Sequence, residues 1–183
     1  MIHNISRFIA ALAIILLTAQ TAGADTETVS YIDADGNAQT VTATVLTGNE
    51  EPSQWGSIDL AAGWYVVKGN ISYTNPINYT SPTGTIHIIL ADGAHMSVEY
   101  NGKDAIFLSK YYPLAIYGQS AGTGRLSVTS DREAIFASGG ITINGGSVTA
   151  TAQNYGISAQ SVTVNGGTID ANGNAARAPR AVF

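Results

Sequence analysis

Two segments near the end of the chain decide the fold, because one repeats the other. They read Gly140-Ile-Thr-Ile-Asn-Gly-Gly-Ser-Val-Thr-Ala150 and Ser161-Val-Thr-Val-Asn-Gly-Gly-Thr-Ile-Asp-Ala171, at an offset of 21 residues. Both alternate β-branched and polar residues around an Asn-Gly-Gly turn, which indicates strands and rules out helix in this region. Self-similarity at a period of about 20 to 50 residues is typical of solenoids, in which each repeat stacks on its neighbour.

The repeat extends towards the N-terminus with looser spacing, as three alternating apolar patterns. These patterns are Ile86-His-Ile88 with Leu114-Ala-Ile116, Met96-Ser-Val98 with Leu126-Ser-Val128, and Asp104-Ala-Ile-Phe-Leu108 with Glu133-Ala-Ile-Phe-Ala137 and Tyr155-Gly-Ile-Ser-Ala159. Because alternate side chains of a strand face opposite sides, the apolar members point inward. We predict an all-β chain, a right-handed parallel β-helix (β-solenoid) with about five coils of three short strands. A β-sandwich is the alternative, but hairpins do not require such a repeat.

The chain divides into three parts on sequence grounds. Residues 1–24 predict a signal peptide, because Arg7 precedes the ten-residue apolar run Phe8–Leu17 and the cleavage signature Ala22-Gly23-Ala24. That run is about half the length that spans a bilayer as a helix, so we expect secretion or cell-surface display and no membrane insertion after cleavage. Residues 25–63 predict an N-terminal β-hairpin that caps the solenoid, around the turn Asp33-Ala-Asp-Gly-Asn37.

Residues 64–183 predict the parallel β-helix itself, whose C-terminal end lacks an obvious cap. The last residues, 175–183, have lost the repeat. A strand edge that is left open invites pairing with another chain. The sequence therefore predicts either a truncated solenoid or end-to-end association through the C-terminal coil.

Composition excludes several classes of protein. Of the 183 residues 45% are hydrophobic and 11% are charged, the net charge is -5, and there is no cysteine. These values exclude a disulfide scaffold, a Cys-ligated zinc site and a thiol nucleophile, and they leave no basic patch for nucleic acid. Because the acids are dispersed and no nucleophile-elbow, zinc-protease or phosphate-loop motif is present, we expect no enzyme. His87 and His95 are expected to lie outward and solvated.

One charged group and several aromatic residues are candidates for ligand binding. Stacking places Lys103-Asp104 and Arg132-Glu133 at the same corner of successive coils, roughly 4.8 Å apart. They form either a solvated ion-pair ladder or a polar site in which Lys103 and Arg132 donate to sugar hydroxyls or a uronate carboxylate. In the next coil Asn154-Tyr155 takes their place.

The aromatic candidates fall at coil corners and at outward positions. They are Tyr111, Tyr112, Tyr117, Tyr155, Phe107 and Phe136. Sugar rings pack their C–H faces on exposed aromatic rings, and tyrosine adds a hydroxyl group. The alternatives are that the N-terminal segment covers this face, or that the alternation is reversed and the phenylalanines are core residues. Trp55 and Trp64 are expected to pack in the cap.

The repeats Glu133-Ala-Ile-Phe-Ala-Ser-Gly-Gly-Ile-Thr-Ile-Asn-Gly-Gly-Ser-Val-Thr-Ala150 and Tyr155-Gly-Ile-Ser-Ala-Gln-Ser-Val-Thr-Val-Asn-Gly-Gly-Thr-Ile-Asp170 resemble a known family. It consists of secreted bacterial parallel β-helix carbohydrate-binding domains, found in plant-fibre degraders and gut commensals. The resemblance implies non-catalytic binding of acidic or cellulosic plant polysaccharides, with Ca²⁺ near acidic corners. In this chain the paired acids of that family become Lys103-Asp104, Arg132-Glu133 and Asn154-Tyr155, so we expect no cofactor or metal.

The sequence therefore predicts a secreted β-helix protein that binds a polysaccharide or cell-surface glycan without catalysis. Two alternatives remain: a structural stalk or adhesin segment of a surface protein, and an enzyme related to polysaccharide lyases or hydrolases. A lyase requires a dense cluster of acids and cations on one face, and only the Lys103, Asp104, Arg132 and Glu133 corner approaches that.

Overall fold

The computed structural model describes residues 24–174, and all regular structure in that range is β-strand. Within these residues there is no helix with the length and apolarity needed to cross a membrane. Residues 1–23 of the expected signal peptide, and the C-terminal residues 175–183, lie outside the described range.

The strands form three sheets. The first sheet contains β1 (Thr26–Ile32), β2 (Ala38–Leu46), β4 (Gly63–Val67), β7 (Ile86–Leu90), β10 (Leu114–Gly118), β13 (Ile141–Ile143) and β16 (Val162–Val164). The second contains β5 (Asn70–Tyr73), β8 (His95–Tyr100), β11 (Arg125–Ser130), β14 (Ser147–Ala152) and β17 (Thr168–Gly173). The third contains β3 (Ile58–Leu60), β6 (Ile77–Tyr79), β9 (Asp104–Leu108), β12 (Glu133–Ala137) and β15 (Tyr155–Ala159).

From β4 onwards the chain visits the first, second and third sheets in turn. Among the strands of residues 24–174, β6 and every later strand pair in parallel with the strand one repeat earlier, and β1 and β2 form the only antiparallel pair. The 21-residue offset appears directly in the register, since Ile143 pairs with Val164. The chain is thus all-β with mostly parallel sheets, an arrangement consistent with a β-solenoid.

The inward positions of the three sheets form one continuous apolar core. The predicted inward residues that are buried include Ile86, Ile88, Met96, Val98, Ile106, Leu108, Leu114, Ile116, Leu126, Val128, Ile135, Ile141, Ile143, Val148 and Ile157. In the last described repeat the equivalent position Val164 is 44% exposed. Burial of apolar side chains between stacked repeats is the main stabilising term in such arrays, because a single repeat cannot bury its own apolar face.

The Asn-Gly-Gly corners let neighbouring repeats approach closely. Asn165 Nδ2 donates a hydrogen bond to the buried Asn144 Oδ1 at 2.7 Å. Gly167 has a φ of +81°, and a Cβ there would lie 2.2 Å from the carbonyl oxygen of Gly146. Only glycine meets both requirements, the left-handed backbone and the close approach.

The hairpin of β1 and β2 does more than close one end. The end of β2 pairs in parallel with β4, while the rest of the hairpin lies over the outer face of the first sheet. There it buries a second, smaller apolar core. This core consists of Val29, Ala43, Val66, Ile89, Ala115 and Tyr117, with Tyr31 and Trp64 partly buried beside them. Gln119 Nε2 also donates to the carbonyl oxygen of Ser30 at 3.0 Å, which ties β1 to the chain after β10.

Two side chains lie differently from the expectation. Trp55 was expected to pack in the cap, but it is 82% exposed, because it sits in a turn between β2 and β3. His87 was expected to be solvated, but its ring stacks on Trp64 at 4.1 Å with an interplanar angle of 10°. His87 does point away from the main core, and its neighbours there are the rings of Trp64 on β4 and Tyr117 on β10, both of which the hairpin residue Tyr31 contacts. Trp64 packs against the hairpin residue Tyr31, as expected of a cap residue.

Candidate functional site

Most of the predicted binding residues lie together on the third sheet. The register pairs Asp104 of β9 with Glu133 of β12, and Glu133 with Tyr155 of β15. Lys103 and Arg132 immediately precede these strands. We call Lys103, Asp104, Arg132 and Glu133 the corner cluster. The expectation that these residues stack at one corner of successive repeats is confirmed; their role in binding stays a prediction.

The ion pair of the corner cluster forms between repeats, not within one. Arg132 Nε donates to Asp104 Oδ1 at 2.8 Å, and Arg132 Nη2 donates to Asp104 Oδ2. The Asp104 side chain is only 5% exposed, whereas that of Arg132 is 45% exposed. A two-point contact of this kind fixes the plane of the guanidinium group and leaves its remaining N–H groups able to donate.

Lys103 and Glu133 have no such partner. Within residues 24–174 the exposed Lys103 forms no salt bridge, and Glu133 Oε2 is buried without a hydrogen-bond partner. Burial raises the pKa of Glu133, and the negative charge of Asp104 raises that pKa further. A buried oxygen without a partner is unfavourable, so it gains from any donor that reaches it. The corner therefore presents hydrogen-bond donors to solvent, while the unsatisfied acceptor Glu133 Oε2 is buried beneath its surface.

Beside the corner cluster lies a stacked aromatic pair, Phe107 and Phe136. Their ring centroids are 5.2 Å apart with an interplanar angle of 18°, and both side chains are half-buried on the outer face. They alternate with buried inward residues on β9 and β12, so the predicted phase of these strands is confirmed. A flat, partly exposed ring surface suits the apolar face of a sugar.

Tyr111 borders the same surface at the other end of β9. It is 75% exposed, and its backbone N–H donates to Ser138 Oγ at 2.7 Å. Lys110 and Tyr111 have φ values of +63° and +64°. Left-handed backbone is unfavourable for residues other than glycine, and such strain is often found at functional positions.

The two remaining tyrosines are held in structural contacts. Tyr112 packs on Tyr79 at 4.0 Å and donates its hydroxyl hydrogen to the carbonyl oxygen of Pro82. Tyr117 is buried beneath the hairpin on the first sheet, where its hydroxyl lies 3.1 Å from His87 Nδ1. Tyr117 is therefore remote from the other site residues because it belongs to a different sheet and is covered. We call the corner cluster, Phe107, Phe136, Tyr111 and Tyr155 the third-sheet surface.

Sequence analysis missed a second polar feature, a groove on the outer face of the second sheet. It has a volume of about 370 Å³ and is lined chiefly by His95, Thr123, Arg125, Ser127, Ser147 and Thr149. The signal was present in the alternation, since polar residues occupy each outward position of β8, β11 and β14. Serine and threonine are common on the outside of any strand, so this pattern alone did not mark a site.

Two further findings bear on these features: the search for metal ligands within residues 24–174 and the comparisons with known proteins. Among residues 24–174, no three His, Asp or Glu side chains are grouped so that they could hold a metal ion. Searches of protein-family models, curated proteins and solved structures found no match for this chain. The likeness to carbohydrate-binding β-helix domains thus rests on the repeat alone and stays a prediction.

Proposed function

We propose that this chain is a secreted, non-catalytic carbohydrate-binding protein that binds an acidic polysaccharide along its third-sheet surface. In the same proposal the fold is a right-handed parallel β-helix of about five coils, with the hairpin as its N-terminal cap. The observation that carries the proposal is the stacked, partly exposed Phe107–Phe136 pair, on the same two strands whose N-terminal ends carry the corner cluster with its oriented Arg132.

The two parts of the surface supply different components of sugar recognition. The aromatic pair offers contact area for the C–H face of a ring, which is favourable but insensitive to charge. Lys103 and the outer N–H groups of Arg132 offer charge-assisted hydrogen bonds, which favour a uronate carboxylate over a neutral hydroxyl. The rings and the cations recur in two successive repeats, about 4.8 Å apart, because in the next repeat Ser158 pairs with Phe136 and Asn154-Tyr155 replaces the charged residues. The surface therefore suits one or two sugar units of a polymer.

The experiment is a binding titration against polygalacturonate, cellulose oligosaccharides and a neutral control glycan, with and without EDTA. We expect polygalacturonate to bind, with no effect of EDTA. The double variant Phe107→Ala/Phe136→Ala should weaken binding by about tenfold or more, since each ring contributes roughly 1 kcal/mol. Trp55→Ala, which removes an exposed aromatic ring elsewhere, should leave affinity unchanged. Circular dichroism confirms that each variant is folded.

The charge contribution is tested separately with Lys103→Gln. This variant should weaken binding to polygalacturonate by several-fold and leave any binding to the neutral glycan unchanged, because only the charged ligand uses the ammonium group. Arg132 is less suitable for this purpose, since its removal would also strip Asp104 of its partner. Equal loss for both glycans would contradict a role for Lys103 in selecting acid groups.

Two other outcomes would favour the rival functions. If no glycan binds, the proposal is wrong and the Ser/Thr-rich outer face of the second sheet favours a stalk or adhesin segment. If polygalacturonate is cleaved to unsaturated uronides, the corner cluster is catalytic, and Glu133 with its raised pKa becomes the candidate acid.

A further inference from the structure

The groove on the second sheet is built from residues of three successive repeats. The register places Arg125 of β11 between His95 of β8 and Ser147 of β14. Ser127, two residues further along β11, lies next to Thr149. All five point outward, because they alternate with the buried residues of their strands. The groove faces away from the third-sheet surface and shares no residue with it.

Two serine hydroxyl groups of the groove, those of Ser127 and Ser147, are held in place by neighbouring side chains. His95 Nε2 lies 2.9 Å from Ser127 Oγ, and Thr168 Oγ1 donates to Ser147 Oγ at 3.0 Å. Because Ser147 Oγ already accepts a hydrogen bond along the row, its own hydrogen is free to point into the groove. The Ser127 and Ser147 hydroxyl groups are thus held in position before any ligand arrives, which lowers the entropy lost on binding.

Arg125 supplies a positive charge that no acid of the described range neutralises. It is exposed, and within residues 24–174 it takes part in no salt bridge. Of the acids near this face, Glu99 lies four residues beyond His95 on β8, and Asp92 and Asp170 accept hydrogen bonds from neutral groups. Asp92 accepts from the backbone N–H groups of Ala121 and Thr123, and Asp170 accepts from Asn172 Nδ2. The guanidinium group is therefore available to a ligand.

We infer that this groove binds an oxyanion, a carboxylate or a sulfate group, with Arg125 as the principal donor. A planar guanidinium group can hold two oxygens of such an anion at once, and the Ser147 and Thr149 hydroxyl groups on the next strand can donate to the further oxygens of a sulfate group. The anion is either a substituent of a polymer lying along the hydroxyl rows or a free ion. The site is separate from the third-sheet surface and does not depend on the function proposed there.

Binding, rather than hydrolysis, is what the geometry supports. Ser127 and His95 lie at the distance of a nucleophile and its base. In a hydrolytic triad, however, a third group orients the imidazole through its other nitrogen. Among residues 24–174 no carboxylate hydrogen-bonds to His95 Nδ1, so the pair lacks that member.

The experiment uses matched ligands and matched variants. Dextran sulfate and unmodified dextran differ only in the oxyanion, and their binding is measured by isothermal titration calorimetry at fixed ionic strength. We expect dextran sulfate to bind and dextran not to bind in the groove. Arg125→Gln should weaken dextran sulfate binding by about tenfold, the loss of one charge-assisted contact. Lys68→Gln removes an equal charge from an exposed position after β4, outside both candidate surfaces, and should change affinity by less than about twofold.

Inorganic sulfate distinguishes the two sources of the anion. If sodium sulfate displaces dextran sulfate better than sodium chloride of equal ionic strength does, the groove accepts the free ion. If the two salts act equally and Arg125→Gln still weakens dextran sulfate binding, the groove requires the polymer. Both results support the proposal. Absence of dextran sulfate binding, or equal losses for Arg125→Gln and Lys68→Gln, would overturn it, because either means that Arg125 has no specific role.

Discussion

At the scale of single residues, the contact between Arg132 and Asp104 determines how the corner cluster can be studied. The Asp104 carboxylate is almost fully buried and depends on one guanidinium group from the next repeat. The sequence placed all four charged residues at one corner, because the repeat fixes which positions stack. It did not reveal that Arg132 pairs with Asp104 while Lys103 stays unpaired, since side-chain pairing depends on reach and burial that a repeat pattern does not encode.

The Arg132–Asp104 pair leads to a prediction about stability. Arg132→Gln should lower the free energy of unfolding by about 2 kcal/mol, because it leaves a buried carboxylate without its cation; the half-exposed position of Arg132 keeps the loss below that of a fully buried pair. Adding Asp104→Asn should restore most of the loss, since the isolated charge is then gone. Urea titrations of the two variants measure this coupling. Lys103→Gln is the control and should not change stability; an Arg132→Gln variant as stable as that control would show that the pair contributes nothing.

At the scale of strands and turns, the sequence was sufficient to predict which strands pair, but not where the hairpin packs. The pairing of Ile143 with Val164 and of Phe107 with Phe136 followed from alternation and repeat length alone. The β1–β2 hairpin followed from its turn residues. Where the hairpin packs could not be derived, because outward residues such as Trp64 and His87 carry no signal of what covers them. Tertiary contacts of this kind are set by geometry outside the repeat.

Gly156 gives a case in which the repeat pattern and the structure make opposite predictions. Its equivalents in the two preceding repeats are Ala134 and Ala105, so the pattern indicates that alanine at 156 is harmless or mildly stabilising. A Cβ at Gly156, however, would lie 2.4 Å from the carbonyl oxygen of Ala150 and 2.6 Å from the backbone nitrogen of Asn172. We therefore expect Gly156→Ala to destabilise the chain by about 1–3 kcal/mol, as overpacking does.

The control for this prediction is Gly122→Ala. Gly122, unlike Gly156, has a left-handed backbone with a φ of +64°, and a Cβ there meets no atom within 4 Å. Its replacement should cost only the left-handed backbone strain, about 1 kcal/mol. Thermal unfolding followed by circular dichroism compares the two variants. A Gly156→Ala variant at least as stable as the original chain would mean that the last repeats shift freely to accept the methyl group.

At the scale of the whole molecule, the two ends of the stack differ. At the N-terminal end the hairpin joins the first sheet and also clamps the outer faces of β4, β7 and β10. In the last described repeat the inward side chains are more exposed than their equivalents elsewhere. Both candidate surfaces, the third-sheet surface and the groove, lie on the sheets that the hairpin leaves open. The hairpin thus stabilises one face of the stack while the other two remain available to ligands.

Docking of the hairpin should depend on pH through His87. Burial against Trp64 lowers the pKa of His87, because the protonated imidazole would lose its solvation there. The unfolded chain takes up this proton near pH 6.5, whereas the folded chain resists it, so stability is retained above that pH and falls as the pH drops below it. We expect the Tm to fall by a few degrees between about pH 7.5 and pH 5, and to fall less in His87→Phe, which keeps a ring on Trp64 but cannot be protonated.

Other groups that titrate in this range are common to the original protein and to His87→Phe, so their effects cancel when the two Tm profiles are subtracted. In a Trp55→Phe background, emission from Trp64 alone reports whether the hairpin has moved. Identical pH profiles for the two proteins would show that His87 is not protonated on unfolding in this range and that the hairpin contact is insensitive to it.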